Sequence, residues 1–182
     1  NDLSGNLLSL FNSAMPVNEN GERLIWDSPY SQYYKTEASV VYTWKFGKKE
    51  NHSIAARFLA GVGIGYGNSV TLPFEKLFWA GGAYSLRAWQ ARTVGPGYAK
   101  EDTSFTIPNQ TGDMRLEANI EYRFPLFWNF EGAVFADAGN VWNIRDYEGQ
   151  EEGTFRFNRF YKQLAMAYGL GLRFDLDYLI IR

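Results

Sequence analysis

Residues 113–124 read Asp-Met-Arg-Leu-Glu-Ala-Asn-Ile-Glu-Tyr-Arg-Phe. Met114, Leu116, Ala118, Ile120, Tyr122 and Phe124 alternate with Arg115, Glu117, Asn119, Glu121 and Arg123. One face is wholly apolar and the other almost wholly charged. A helix of this sequence would scatter charge all round, so period 2 assigns a β-strand. Residues 33–46 repeat the division, with Tyr34, Val40, Tyr42, Trp44 and Phe46 opposite Lys35, Glu37 and Lys45. In residues 53–66, Ile54, Phe58, Val62 and Ile64 oppose Arg57, Gly61, Gly63 and Gly65, and glycine at alternate strand positions marks a face against which something packs closely. Residues 129–141 carry Glu131 and Asp137 on their polar side, and residues 163–175 set Met166, Tyr168, Leu170 and Leu172 against Gly169, Gly171 and Arg173. Weaker strands are expected at residues 5–11 and 178–182.

These are about seven strands of about 10 to 14 residues, long for a globular sheet and suited to tilted strands crossing a bilayer. Short connections (47–52, 125–127) alternate with long ones (16–31, 68–111, 143–159), the asymmetry of an outer-membrane barrel. Trp26, Tyr30, Trp44, Tyr66, Trp128 and Trp142 stand near strand ends, where an interfacial girdle would place them. A soluble sandwich or lipocalin-like barrel shows the same alternation with inside and outside exchanged. Strand length, glycine on the polar faces and loop asymmetry favour the membrane form.

Composition agrees. The 182 residues suffice for one domain, and none of their apolar runs is long enough for a membrane-spanning helix. Slightly polar mean hydropathy is what lipid-facing and lumen-facing alternation averages to. A net charge of −2 offers no footprint for nucleic acid, and the absence of cysteine removes disulfides and thiolate metal sites. The chain begins without Met or a secretory leader and ends inside a strand-like segment, so it is read as an internal piece of a longer protein.

The segment 73–97 is too polar and glycine-rich for a strand, yet carries Trp79, Tyr84 and Trp89 around Arg87. Such a loop is expected to fold back into a cavity with Arg87 at its tip. Other candidates are weak. His52 has no second ligand for a metal and is expected to be solvated. Glu117 and Glu121 stand about 13 Å apart along one strand, beyond both glycosidase spacings. Residues 148–152 lack the ligand alternation of a Ca²⁺ loop. Phe155, Phe157, Phe160 and Tyr161 suit either a short capping helix or loop packing. No nucleophile constellation marks an enzyme, and no cofactor is implied.

The sequence Gly81-Gly82 followed by Leu86-Arg87-Ala88-Trp89 resembles the signature loop of the outer-membrane assembly and secretion barrels, the BamA/TamA superfamily, whose pattern is a Gly-Gly pair, a short hydrophobic step and Arg-Gly-aromatic. Residues 121–125 (Glu-Tyr-Arg-Phe-Pro) and 135–142 (Phe-Ala-Asp-Ala-Gly-Asn-Val-Trp) resemble the two strand motifs that follow the loop there. The three blocks stand in family order, and the likeness spans essentially the whole chain. The lead-in and exit of the loop look most like Bacteroidetes members. The resemblance implies an all-β, antiparallel transmembrane β-barrel, of which this is the C-terminal half: about seven strands of roughly sixteen. Residues 1–182 would be a partial barrel domain, and residues 68–111 the loop folded into its lumen. It further implies that Arg87 meets Glu121 and Asp137 in a structural clamp, which suits a guanidinium fork better than an ammonium. Ala88 departs from the family's glycine and bars a left-handed turn there. The implied work is insertion or export of proteins at the outer membrane of a Gram-negative bacterium, with lipids, unfolded client proteins, periplasmic domains and accessory lipoproteins as partners. A passive porin-type channel is the alternative.

Overall fold

The computed structural model describes residues 16–18, 21, 23–25, 28–98, 109–175 and 180–181. The expected strand at 5–11, Trp26 and the middle of the long loop lie outside these. A small pair, β1 (Leu24–Ile25) and β2 (Ser28–Pro29), precedes a six-stranded antiparallel sheet. Its members are β3 (Tyr33–Phe46), β4 (His52–Gly65), β5 (Met114–Pro125), β6 (Phe130–Trp142), β7 (Ala165–Asp175) and β8 (Ile180–Ile181). Each strand pairs with its sequence neighbour, a plain up-and-down order. The strands begin and end within two residues of where the alternation places them, except that β8 is described only at Ile180–Ile181 and the connection after β6 runs to residue 164.

Register turns the alternation into layers. Across the inner face, Val41, Arg57, Asn119, Asp137 and Ala167 stand side by side. Next toward the short-turn end come Thr43, Ala55, Glu121, Phe135 and Gly169, then Lys45, Ser53, Arg123, Ala133 and Gly171. The opposite face is a continuous apolar band, with Val40, Tyr42, Phe58, Ile120 and Leu172 exposed and Tyr168 and Leu170 at 85% and 82% exposure. A band of this extent in water would be an association liability; facing hydrocarbon it is the surface a barrel requires.

Aromatic side chains gather at the short-turn end. Trp44, Phe46, Tyr122 and Phe124 form a row of ring contacts, and Phe127, Trp128, Phe130 and Phe174 form a second. His52 belongs to the first row rather than standing in water. It stacks on Phe46 and Tyr122, and its Nδ1 lies 2.9 Å from the Tyr122 hydroxyl. Its position at the start of β4, opposite Phe46, puts the ring on the outer face. Trp142 departs from the expected girdle in the other direction. It is fully buried under the connection between β6 and β7, edge-on to Phe155 and Phe160. Those two rings belong to loop packing plus one 3-10 turn, Phe160–Lys162.

The buried apolar cluster does not lie between two layers of regular structure. It consists of Phe78, Ala80, Leu86 and Val94 from the long loop with Val141 of β6. The loop thus supplies the core that the single sheet lacks on its inner side.

Candidate functional site

The loop leaves β4 at residue 66 and returns at residue 113, and its described residues, 66–98 and 109–113, lie against the inner wall. Gly61, Gly63 and Gly65 make that approach possible. A Cβ on Gly61 would sit 2.6 Å from the Phe78 ring, one on Gly63 would strike Leu72, and one on Gly65 would meet the carbonyls of Ser69 and Thr71 at 2.8 Å. Alternate residues of the loop face the wall. Phe78 bridges Gly112 and Ala80 bridges Val94, so Phe78 and Ala80 are buried while Trp79 between them is not. This corrects the expectation that Trp79, Tyr84 and Trp89 do the packing: they remain 37%, 89% and 39% exposed, and Phe78, Leu86 and Val94 fill the interface instead.

At the tip the chain turns through Gly81 and Gly82, whose φ values of 102° and 90° fall where a side chain is strained. A Cβ on Gly81 would also overlap the Gln90 carbonyl. The turn is closed by bonds from Gly82 N–H to the Trp89 carbonyl (2.7 Å) and from Gly81 N–H to Ser85 Oγ (2.9 Å). Ala88 is absent from the positive-φ residues, so the substitution of the family's glycine carries no left-handed strain. Trp89 donates its indole N–H to the Met166 carbonyl of β7 at 3.0 Å.

Arg87 projects from this turn to β5 and β6. Its Nε donates to Asp137 Oδ2 at 2.9 Å and one terminal nitrogen to Oδ1 at 2.7 Å, a parallel fork on one carboxylate. The other terminal nitrogen bonds Glu121 Oε2. The Arg87 backbone N–H also donates to Asp137, at 3.1 Å. The guanidinium carbon lies 3.7 Å from the centre of the Phe135 ring, so the cation is stacked as well as paired. Arg87 thus joins both of the carboxylates singled out in the sequence.

Several participants escaped the sequence reading. Glu117 is 1% exposed and accepts from Arg57 (2.9 Å) and Arg115 (2.9 Å) and from the Ser85 hydroxyl. Asn119 donates to both the Ser85 carbonyl and Asp137 at 2.8 Å, while accepting from Arg57 at 2.9 Å. Arg123 reaches Glu121 at 2.6 Å. All are inward positions in adjacent layers. A charged alternate face was visible in the sequence; which charges stand opposite one another is register, which alternation does not carry.

A second attachment lies at the loop's exit. Gly97 N–H bonds the Val141 carbonyl at 2.8 Å, and Asn140 reaches back to the Gly97 carbonyl at 3.1 Å. Gln163 links Trp142 (2.9 Å) to the Glu152 carbonyl (2.9 Å). Where the chain rejoins β5, Asp113 accepts from Ile144 N–H and the Tyr147 hydroxyl, both at 3.1 Å. Burial pushes the Asp113 carboxyl above its usual range, more than these bonds and the Arg145 charge draw it down. Burial, then the Asp113 charge and hydrogen bond, push Tyr147 up to about 12. Among the described residues there is no cluster able to hold a metal ion.

The family described as the Omp85 superfamily domain matches residues 28–180. The outer membrane protein assembly factor BamA of Neisseria meningitidis serogroup B is 28% identical over 122 residues, covering 64% of this chain and 15% of that protein. The crystal structure of BamA from Haemophilus ducreyi lacking POTRA domains 1-3 superposes with a TM-score of 0.60 at 19% identity, over 80% of this chain and 30% of that one; it speaks to the fold alone. The antiparallel sheet is therefore part of a transmembrane β-barrel of a Gram-negative outer membrane, and the chain belongs to the Omp85 superfamily.

Proposed function

We propose that this segment is the loop-bearing part of a barrel that inserts or exports other proteins at the outer membrane. In this reading residues 68–111 form the lumen loop, and Arg87, Glu121 and Asp137 are a structural clamp that holds its tip against the wall. The observation that carries it is the bidentate Arg87–Asp137 pair closed by Glu121 and stacked on Phe135. A fork fixed at four points is a positioning device: it keeps the loop in one place without a bond being made or broken, so the role is non-catalytic. Membership of a family that includes an assembly factor supports the assembly reading over a passive channel. So does the loop's cover over the part of the inner wall that carries Gly61, Gly63 and Gly65. Client outer-membrane proteins, with periplasmic domains and accessory lipoproteins of an assembly complex, are the proposed partners.

The test is insertion of a client barrel into liposomes by the full-length protein carrying Arg87→Ala, Arg87→Lys or Arg87→Glu. Alanine leaves Asp137 without a counter-charge and Glu121 with Arg123 alone, so insertion falls and protease cleavage near Gly81 rises. Lysine restores only part, because an ammonium cannot match two carboxylates. Glutamate does at least as much harm as alanine. Wild-type insertion and wild-type protease resistance in Arg87→Ala would overturn the clamp.

A further inference from the structure

Below the loop tip no described residue covers the inner wall, and the charges of the described residues there do not balance. A cavity of about 220 Å³ opens between residues 83–87 of the loop and the inner faces of β4 and β5. Its floor is Ala55, and three guanidinium groups, Arg57, Arg87 and Arg123, face it with one carboxylate, Glu121. In the wider network four arginines (57, 87, 115 and 123) meet three carboxylates (Glu117, Glu121 and Asp137), one positive charge in excess. Bonding is also incomplete at the rim. Arg123 engages Glu121 through Nε, while Arg57 uses Nε and one terminal nitrogen. Both side chains keep over a quarter of their surface, at 27% and 28%. Lys45 lies in the same layer as Arg123, one strand beyond Ser53, and adds to the excess.

We propose that this cavity binds a carboxylate carried on an extended polypeptide in the barrel lumen. The reasons are charge, donor geometry and access. Guanidinium forks left with free N–H groups beside a small cavity favour a planar two-oxygen acceptor. Arg57, Glu121 and Arg123 stand at inward positions of their strands, so the anion arrives from the lumen and not from the lipid face. Ala55 rather than a larger residue leaves room for the group, and Tyr84, 89% exposed above it, offers a ring to the attached chain. The site rests on the proposed function, which supplies polypeptides to the lumen.

The test is calorimetric titration of the full-length protein in detergent with an acetylated tri-alanine bearing a free C-terminal carboxylate, and with its C-terminal amide. The acid is expected to bind about tenfold or more tightly than the amide, a difference of about 1.4 kcal/mol. Arg123→Gln should remove most of that preference. Ala55→Leu should block binding by filling the floor while hydrogen exchange of residues 81–93 stays as in the wild type, which separates a filled site from a displaced loop. Equal binding of acid and amide, wild-type binding in both variants, or complete displacement of the peptide by an equal concentration of inorganic phosphate would overturn the site. Client insertion is measured in parallel on Arg87→Ala. Acid and amide alike with insertion impaired in Arg87→Ala removes the carboxylate site and leaves the assembly reading with its clamp; acid preferred with insertion intact in Arg87→Ala keeps the site and removes the clamp.

Discussion

The inner wall of β4 is made of small residues along much of its length, but its two halves are used differently. Gly61, Gly63 and Gly65 lie under Phe78, Leu72 and the backbone of Ser69 and Thr71, so close that an added Cβ would force a shift. Ser53 and Ala55, toward the short-turn end, lie below the loop tip, and Ala55 borders open space. β7 repeats the contrast within two residues. Gly169 is capped by the Phe135 ring, at 2.8 Å from an added Cβ, whereas at Gly171 the nearest atom is the Ala133 methyl at 3.5 Å. Glycine on a lumen face therefore has two meanings: an occupied contact, or simple lack of bulk. The boundary between the two on β4 is set by how far Arg87 carries the loop.

The largest expected effect follows from releasing that boundary. Removing one partner of a fully buried ion pair costs about 3 to 5 kcal/mol. Arg87 keeps 23% of its side chain exposed, so lumen water reduces the loss for Arg87→Ala. The loop should then detach while the strands stay paired, seen as protease cleavage within residues 81–93 with an unchanged β-sheet circular dichroism signal. Loss of sheet signal at the same point would mean that the clamp holds the barrel rather than the loop.

A smaller effect separates the two kinds of glycine. Gly63→Val forces Leu72 aside, an overpacking cost of about 1 to 3 kcal/mol. Gly171→Ala meets only ordinary contact and should leave heat-modifiable electrophoretic mobility at the wild-type temperature. Equal damage from both would show that the wall at Gly171 is also occupied.

The smallest effect concerns the loop's return to β5. The folded state holds the Tyr147 proton more tightly than an unfolded chain does, with its value moved from 10.0 to about 12. The contribution of this contact is therefore full below pH 10 and falls as pH rises toward 12. A tyrosinate difference spectrum between the wild type and Tyr147→Phe should titrate near 12. A midpoint near 10 would place Tyr147 in water, away from Asp113.

The fold was legible because period 2 reports faces, and residues 113–124 report them without ambiguity. The clamp was legible only through resemblance: nothing in the spacing of Arg87, Glu121 and Asp137 brings them together. Glu117, Arg57 and Arg115 stayed hidden because pairing across strands depends on register. Ser85 and Phe135 stayed hidden because a hydroxyl and a ring show their partners only in three dimensions. Trp142 misled because a tryptophan at a strand end suits both a membrane interface and the underside of a packed loop. His52 misled because a turn position does not reveal that its ring faces Phe46 and Tyr122.

The most direct measurement is hydrogen–deuterium exchange of the full-length protein in lipid bilayers, followed over peptides from residues 81–93. Gly81, Gly82, Ser85, Arg87, Trp89, Arg92 and Thr93 all donate their backbone N–H groups, Arg87 to the Asp137 carboxylate on another strand. The account predicts slow exchange across this segment in the wild type, comparable to that of β5, and fast exchange in Arg87→Ala with β5 unchanged. Fast exchange of residues 81–93 in the wild type, or slow exchange that survives Arg87→Ala, would contradict it.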